Sequence, residues 1–276
     1  MDVGKLYHSA NKVSFAIVFD FIKNVKHLLK DEIGDRKCKL LDIGTGDGRV
    51  LSEIIIKESD LKFEKALGVD INDQMLNFAK KTYVNDLMKF EKLNIEDKKE
   101  VTEFLKHHNN FDIVTSYYCL QWILDIEQAL KNISEFLKPN GIFHFVFLKS
   151  FLSESAFIEM ANSSKYHEYK NDILKWPCFT HSKNDNIDKY FENILRNTGF
   201  TVKLFESKTI IGNFETKEGL KNFFAMMPFL KAMPDGVKEE FLKDYVEKSK
   251  MISREHGLSD FEIEASFLNC FVVKCE

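Results

Sequence analysis

The chain has 276 residues, 30% of them charged, with a formal net charge of -4. This balance provides no basic footprint for a phosphate backbone, which argues against nucleic acid and for a small molecule or a protein as partner. No run of about 18 apolar residues marks a membrane span, and the opening MDVGKLYHSANK is neither an apolar signal nor an Arg-rich transit segment, so a cytosolic protein is expected. The five cysteines (Cys38, Cys119, Cys178, Cys270 and Cys275) have neither pairing nor zinc spacing and read as reduced thiols. The 26 phenylalanines against four prolines supply much apolar bulk and no linker tract.

In chain order, Phe15, Val18, Phe19, Ile22, Val25 and Leu29 recur at spacings of three and four and predict an amphipathic helix over Ser14–Leu29. Lys39–Ile43 reads as a strand ending in a glycine-rich turn, and Val50–Ile56 continues as a helix. Further strands are expected at Ala66–Val69, Phe90–Leu93, Ile113–Thr115 and Ile142–Leu148. Helices at Asp73–Val84, Lys99–His107 and Asp125–Phe136 separate them. Beyond Leu148 come a helical, aromatic segment (Ser153–Tyr169, then Ile173, Trp176 and Phe179) and a helix at Ile187–Asn197 that stops at Gly199. A strand Thr201–Ile211, a helical stretch Lys217–Ser249 and a last strand Phe267–Val273 complete the order. The alternation predicts one α/β domain with a doubly wound, mostly parallel, seven-stranded Rossmann-like sheet. Its ligand-binding core covers residues 36–150; the helical insertions at 151–198 and 214–262 either cap the carboxyl edge of the sheet or form extra packing layers.

The strongest chemical signal is LLDIGTGDGRV, with Gly44, Gly46 and Gly48 between a strand and a helix, where backbone can approach a ligand closely. Asp70 ends the second strand in LGVDIN, placed to accept hydrogen bonds from ribose hydroxyls. The spacing is GxGxG, not the GxGxxG that sets a helix N-terminus against a pyrophosphate. Asp42, two residues before the first glycine, would repel phosphate but can hold an ammonium group. A nucleoside joined to an amino acid satisfies all three features.

These residues resemble class I S-adenosylmethionine-dependent methyltransferases: LLDIGTGDG their first motif, GVDIN their second, LNIED the loop beside adenine, and LKPNGIFHF the turn into the fifth strand. The resemblance implies S-adenosylmethionine as cofactor. It further implies that Asp42 and Gly44 border its methionine part, that Gly46 also binds the cofactor, that Asp70 binds ribose, and that Ile71 and Ile95 flank adenine with Asn94 near its amino group. Ser116 and Tyr117, after the fourth strand, would border the cofactor. Tyr7 and Asn11, four apart on one helical face, would close over its amino acid end or pack as surface residues.

Over nearly the whole chain, LYHSANKV, FDIVTSYYCLQWILDIEQALKNI and MPFLKAMPDGVKEEFLKDYVE are similar to the insect juvenile hormone acid methyltransferase family. The resemblance implies a small apolar carboxylic acid, farnesoic acid or its epoxide, as substrate. Such an acid needs no general base, only neutral donors and exclusion of water. Gln121 and Trp122 offer an amide and an indole N–H. Where the family has a Gln near the N-terminus this chain has Ser14, and Gln121 stands where the family has His. Either Gln121 takes over as donor, a water bridges, or the acid differs. A non-carboxylate acceptor and a non-catalytic lipid-binding relative are the competing readings. Trp176 either lines an apolar pocket or anchors the first insertion. Phe223, Phe224, Met226, Met227, Phe229 and Met233 form core or ligand wall. His107 and His108 read as solvated, and His144 as a core histidine.

Overall fold

Strand and helix alternate because apolar runs sheltered on both faces are punctuated by polar caps. The computed structural model describes residues 3–108, 110–176 and 186–276; Cys178 and Phe179 lie outside them. Two helices open the chain, α1 (Val3–Ala10) and α2 (Lys12–Ile33). The buried face of α2 runs through Ile17, Val18, Phe21, Ile22, Val25 and Leu29, while Phe15 and Phe19 are only partly covered. Gly34 ends α2 at φ 66°, its N–H donating to the Lys30 carbonyl at 2.8 Å.

Next come β1 (Lys37–Ile43), a turn of π-helix at Val50–Ile55 that continues into α3 (Ile56–Glu58), β2 (Lys62–Asp70), α4 (Asp73–Tyr83), β3 (Met88–Lys92) and α5 (Lys98–His107). They are followed by β4 (Phe111–Tyr117), a 3-10 turn at Leu120–Trp122, α6 (Ile126–Phe136) and β5 (Leu137–Phe151). Asn72, Asp97 and Asp125 cap α4, α5 and α6 by accepting first-turn backbone N–H groups. Each cap is worth about 1 kcal/mol.

The second half supplies α7 (Glu154–Asn162), α8 (Lys170–Leu174), α9 (Ile187–Asn197), β6 (Phe200–Asn213), α10 (Lys217–Phe224), α11 (Asp235–Glu255) and β7 (Glu262–Lys274). Among the described residues seven strands form one sheet in the order β3-β2-β1-β4-β5-β7-β6. The first five are parallel, and β7 runs antiparallel between β5 and β6. Strands β5, β6 and β7 outrun their apolar cores because antiparallel pairing continues to Phe151↔Ala265 and Asn213↔Glu262. The expected Lys217–Ser249 helix is interrupted: Pro228 opens a 3-10 turn and Pro234 precedes α11, since proline lacks the N–H an interior helical position needs.

One apolar cluster packs α6 and α9 on one face of the sheet, through Phe136, Phe143, Phe145 and Phe191; a second packs α2 on the other, through Phe21, Phe267 and Phe271. Burying one such ring contributes about 1.5–3 kcal/mol. A third cluster joins the helical segments after β5 and β6: Phe157 stacks on Tyr245 at 4.0 Å, with Phe224, Phe229 and Met233 beside them. Trp122 and Trp176 pack on its rim. His107 is exposed, whereas His108 is not the solvated residue expected: its ring packs on Phe104 at 4.3 Å and faces Glu91 at 2.8 Å. Among the described residues no helix is long and apolar enough to cross a membrane.

Candidate active site

Strand β1 delivers the chain into the glycine turn, and the turn is tied to β2. The N–H groups of Gly44 and Thr45 both donate to the Val69 carbonyl, at 2.8 and 3.0 Å. Gly44 has φ +69°, and a Cβ there would lie 2.4 Å from the Cys119 side chain. Only glycine tolerates both constraints. Asp70 completes the tie: one carboxylate oxygen accepts Gly46 N–H at 2.9 Å, the other Asn72 N–H at 2.8 Å. Burial raises its pKa, while those backbone donors pull it down. The lone pairs that the backbone donors leave free can accept a ligand hydroxyl.

Beside the turn lies a small cavity that opens to solvent. Tyr7, Asn11, Ser14, Phe15 and Val18 of the two leading helices line one side, and Asp42, Gly44, Thr45, Asp47 and Val50 the floor. Tyr117 and Tyr118 complete it. The Tyr7 ring lies over Gly46, 3.7 Å from where a Cβ would stand. Its phenol is pushed above its ordinary range, first by burial and then by the Asp47 and Asp70 charges. Asp42 is buried, and its pKa is pushed up to about 7 by desolvation, against a hydrogen bond donated by Thr115 Oγ1 at 2.7 Å. A cation brought against it would restore the full carboxylate charge.

The structure thus gathers Tyr7, Asn11, Ser14, Asp42, Gly44 and Tyr117 around one cavity and uses Gly46 and Asp70 to shape its edge. Asp47 was missed although it sits inside the glycine motif. It faces His8 Nδ1 at 2.9 Å, linking α1 to the turn, and burial raises its pKa.

Other expected residues lie elsewhere. Ile71 is 60% exposed at the carboxyl end of β2, an apolar surface left open to a flat ligand. Ile95 is only 5% exposed and packs in the core under α6, and its carbonyl accepts Asn132 Nδ2 at 2.7 Å. Asn94 spends its side-chain oxygen on Glu96 N–H at 3.1 Å, which shapes the loop. Ser116 is fully buried and donates to the Ile43 carbonyl at 3.1 Å, so it stitches β4 to β1. The Tyr117 hydroxyl turns away from the cavity to His144 Nδ1 at 2.8 Å; His144 Nε2 meets Asn269 Oδ1 at 2.9 Å. Asn269 Nδ2 then donates to Glu206 at 3.3 Å, so the amide oxygen faces a protonated Nε2 and Tyr117 is the donor to Nδ1. Burial pushes His144 down to about 4, consistent with a neutral core histidine.

Gln121 and Trp122 stand on the 3-10 turn after β4 and are not among the residues lining the cavity with Ser14. Gln121 is 1% exposed, with a buried Oε1 that has no partner among the described residues. Trp122 meets Trp176 edge to face at 5.9 Å, and Trp176 Nε1 is likewise buried without a partner among the described residues.

These features fit S-adenosylmethionine: a buried carboxylate of raised pKa for an ammonium group, carboxylate lone pairs for a ribose, and an exposed isoleucine for a purine. The methyltransferase domain family matches residues 16–204. The chain is 28% identical over 269 residues to the juvenile hormone acid O-methyltransferase of Drosophila melanogaster, covering 90% of this chain and 82% of that one. It is 27% identical over 262 residues to the Bombyx mori enzyme of the same name, covering 94% and 89%. In fold it is similar to the YcgJ protein of Bacillus subtilis, with a TM-score of 0.53 and 14% identity, over 92% of this chain and 99% of that one. The chain belongs to the methyltransferase domain family, and is a transferase that uses S-adenosylmethionine on a class I Rossmann-like fold.

Proposed function

We propose that this methyltransferase acts on the carboxylate of an apolar acid of the farnesoid type. The observation that carries the reading is the lining of the cavity, whose donors among the described residues are neutral hydroxyls and an amide (Tyr7, Asn11, Ser14, Tyr118), with no lysine or arginine described there. A salt bridge would tie down the lone pair that must react, whereas neutral donors hold the acid and leave it nucleophilic. The names of the Drosophila and Bombyx relatives support an acid substrate.

The cofactor supplies an electrophilic methyl group, and the chain supplies position and dryness. Asp42 would pair with its ammonium end, Asp70 with its ribose, and Ile71 with its purine. Ile95, Asn94 and Ser116 would support these contacts from behind. Fixing an ionised acid in line with the methyl can contribute roughly 7–11 kcal/mol, and no proton needs to move. Residues 36–150 act as the cofactor core, and the helical segments 151–198 and 214–262 as an apolar cap against water. Trp122 and Gln121 close the acceptor side where that cap meets the carboxyl end of β4.

The test is methyl transfer from radiolabelled S-adenosylmethionine to farnesoic acid, juvenile hormone acid, saturated fatty acids, farnesol and representative amines and phenols. Label in an alkali-labile ester of a farnesoid acid is expected. Transfer to an amine or phenol, with every acid inert, would overturn the reading.

A further inference from the structure

One cavity residue is held in a conformation that aromatic side chains rarely adopt. Tyr118 has φ +55°, at the point where β4 runs out into the 3-10 turn. For a bulky residue this left-handed geometry costs about 1–3 kcal/mol and persists only where surroundings over-determine it. Here they do: the Tyr118 N–H donates to the Val146 carbonyl at 3.2 Å, and the ring packs edge to face on Phe267 at 5.5 Å. The strained backbone turns the side chain into the wall of the cavity that Ser14 also lines.

The other hydroxyls of the cavity are poorly suited to an anionic acceptor. Tyr7 feels the charges of Asp47 and Asp70. Tyr117 feels Asp42, and its hydroxyl is committed to His144. Tyr118 is different: burial holds its phenol protonated, the Ser14 hydroxyl is its hydrogen-bond neighbour, and the charged form it feels is that of Tyr7. Gln121, the donor expected to compensate for the short Ser14, stands outside the cavity lining.

We propose that Tyr118 is the donor that holds the acceptor carboxylate, its phenol O–H given to one carboxylate oxygen and its orientation set by Ser14. The assignment rests on the carboxyl-methylation reading.

The experiment compares the full chain with Tyr118→Phe, which keeps the ring on Phe267, and with Ser14→Ala. Calorimetry measures S-adenosylhomocysteine affinity; steady-state kinetics gives kcat/KM on farnesoic acid; binding of farnesoic acid and of farnesol is measured in the S-adenosylhomocysteine complex. For Tyr118→Phe we expect kcat/KM to fall at least about tenfold, acid binding to weaken, and affinity for farnesol and cofactor product to hold within about twofold. Ser14→Ala should reproduce the same pattern at about threefold. At saturating S-adenosylmethionine the rate of the parent should be level from pH 6.5 to 9, as expected for a donor that never ionises. An unchanged kcat/KM in Tyr118→Phe, or a loss confined to cofactor affinity, would overturn the Tyr118 assignment and leave carboxyl methylation standing. A parent that methylates no acid would overturn both.

Discussion

The floor of the cavity and the helical cap beyond it are built on opposite plans. On the β1–β2 side the backbone and carboxylate groups are paired: Val69 O with two turn N–H groups, Asp70 with Gly46 and Asn72, Asp42 with Thr115, while the Thr45 hydroxyl alone is buried there with no partner among the described residues. Toward the helical cap, Trp122 and Trp176 meet through ring edges, and Gln121 Oε1 and Trp176 Nε1 are buried without partners among the described residues. A buried orphan costs about 1–3 kcal/mol. The contrast teaches that one side is finished by its own backbone while the other is completed only by what enters it, so substitutions on the two sides should fail in different ways.

The largest effect should come from Gly44→Ala. Positive φ together with a Cβ forced onto Cys119 should cost about 2–4 kcal/mol, seen as a lower melting temperature and loss of cofactor binding by calorimetry. Adding Cys119→Gly should recover the part due to the clash and not the part due to φ. A stable, cofactor-binding Gly44→Ala would break the claim that this side is fixed by backbone.

Trp122→Ala comes next. It should leave cofactor affinity intact and lower turnover on farnesoic acid at least about tenfold, roughly 1.4 kcal/mol in the barrier. An unchanged rate would remove Trp122 from the acceptor side.

Asp42 sharpens the comparison through pH. With its pKa near 7 in the free protein, pairing with an ammonium group requires the carboxyl to lose its proton. Cofactor affinity should therefore rise with pH, by roughly tenfold between pH 6 and 8, and level off above. The sign for stability is the reverse. The folded chain keeps a proton that the unfolded chain releases near pH 4, so this residue makes the free protein most stable below about pH 4. That contribution is lost as pH rises toward about 7. Asp42→Asn should flatten both curves; an affinity that still climbs in the variant would assign the proton elsewhere.

Gln121→Leu should have the smallest effect on folding, a gain of about 1 kcal/mol from removing a buried orphan, together with a several-fold rise in KM for the acid. A gain in stability with KM unchanged would make Gln121 a packing residue only.

What the sequence discloses follows the same division. The glycine turn, Asp42 and Asp70 are legible because local spacing and strand ends determine where backbone groups point. Ile95 and Ser116 are not: one residue of rotation in a loop or strand end decides between core and cavity, and both turned inward. Tyr118 is hidden for a related reason, since nothing in TSYYCLQWI signals that a tyrosine adopts φ +55°. The apolar content of the cap could be read from Phe223 to Met233, but which rings meet depends on contacts such as Phe157 with Tyr245, 88 residues apart in sequence.

The place of β7 also constrains the order in which the molecule can be made. This strand is the last of the seven to be synthesised, yet it lies inside the sheet between β5 and β6. Until it emerges, two long strands present unpaired edges, each a template for another chain. The nascent protein therefore carries an aggregation hazard until β7 emerges, and a chain cut short near Leu258 would leave the ribosome with both edges open.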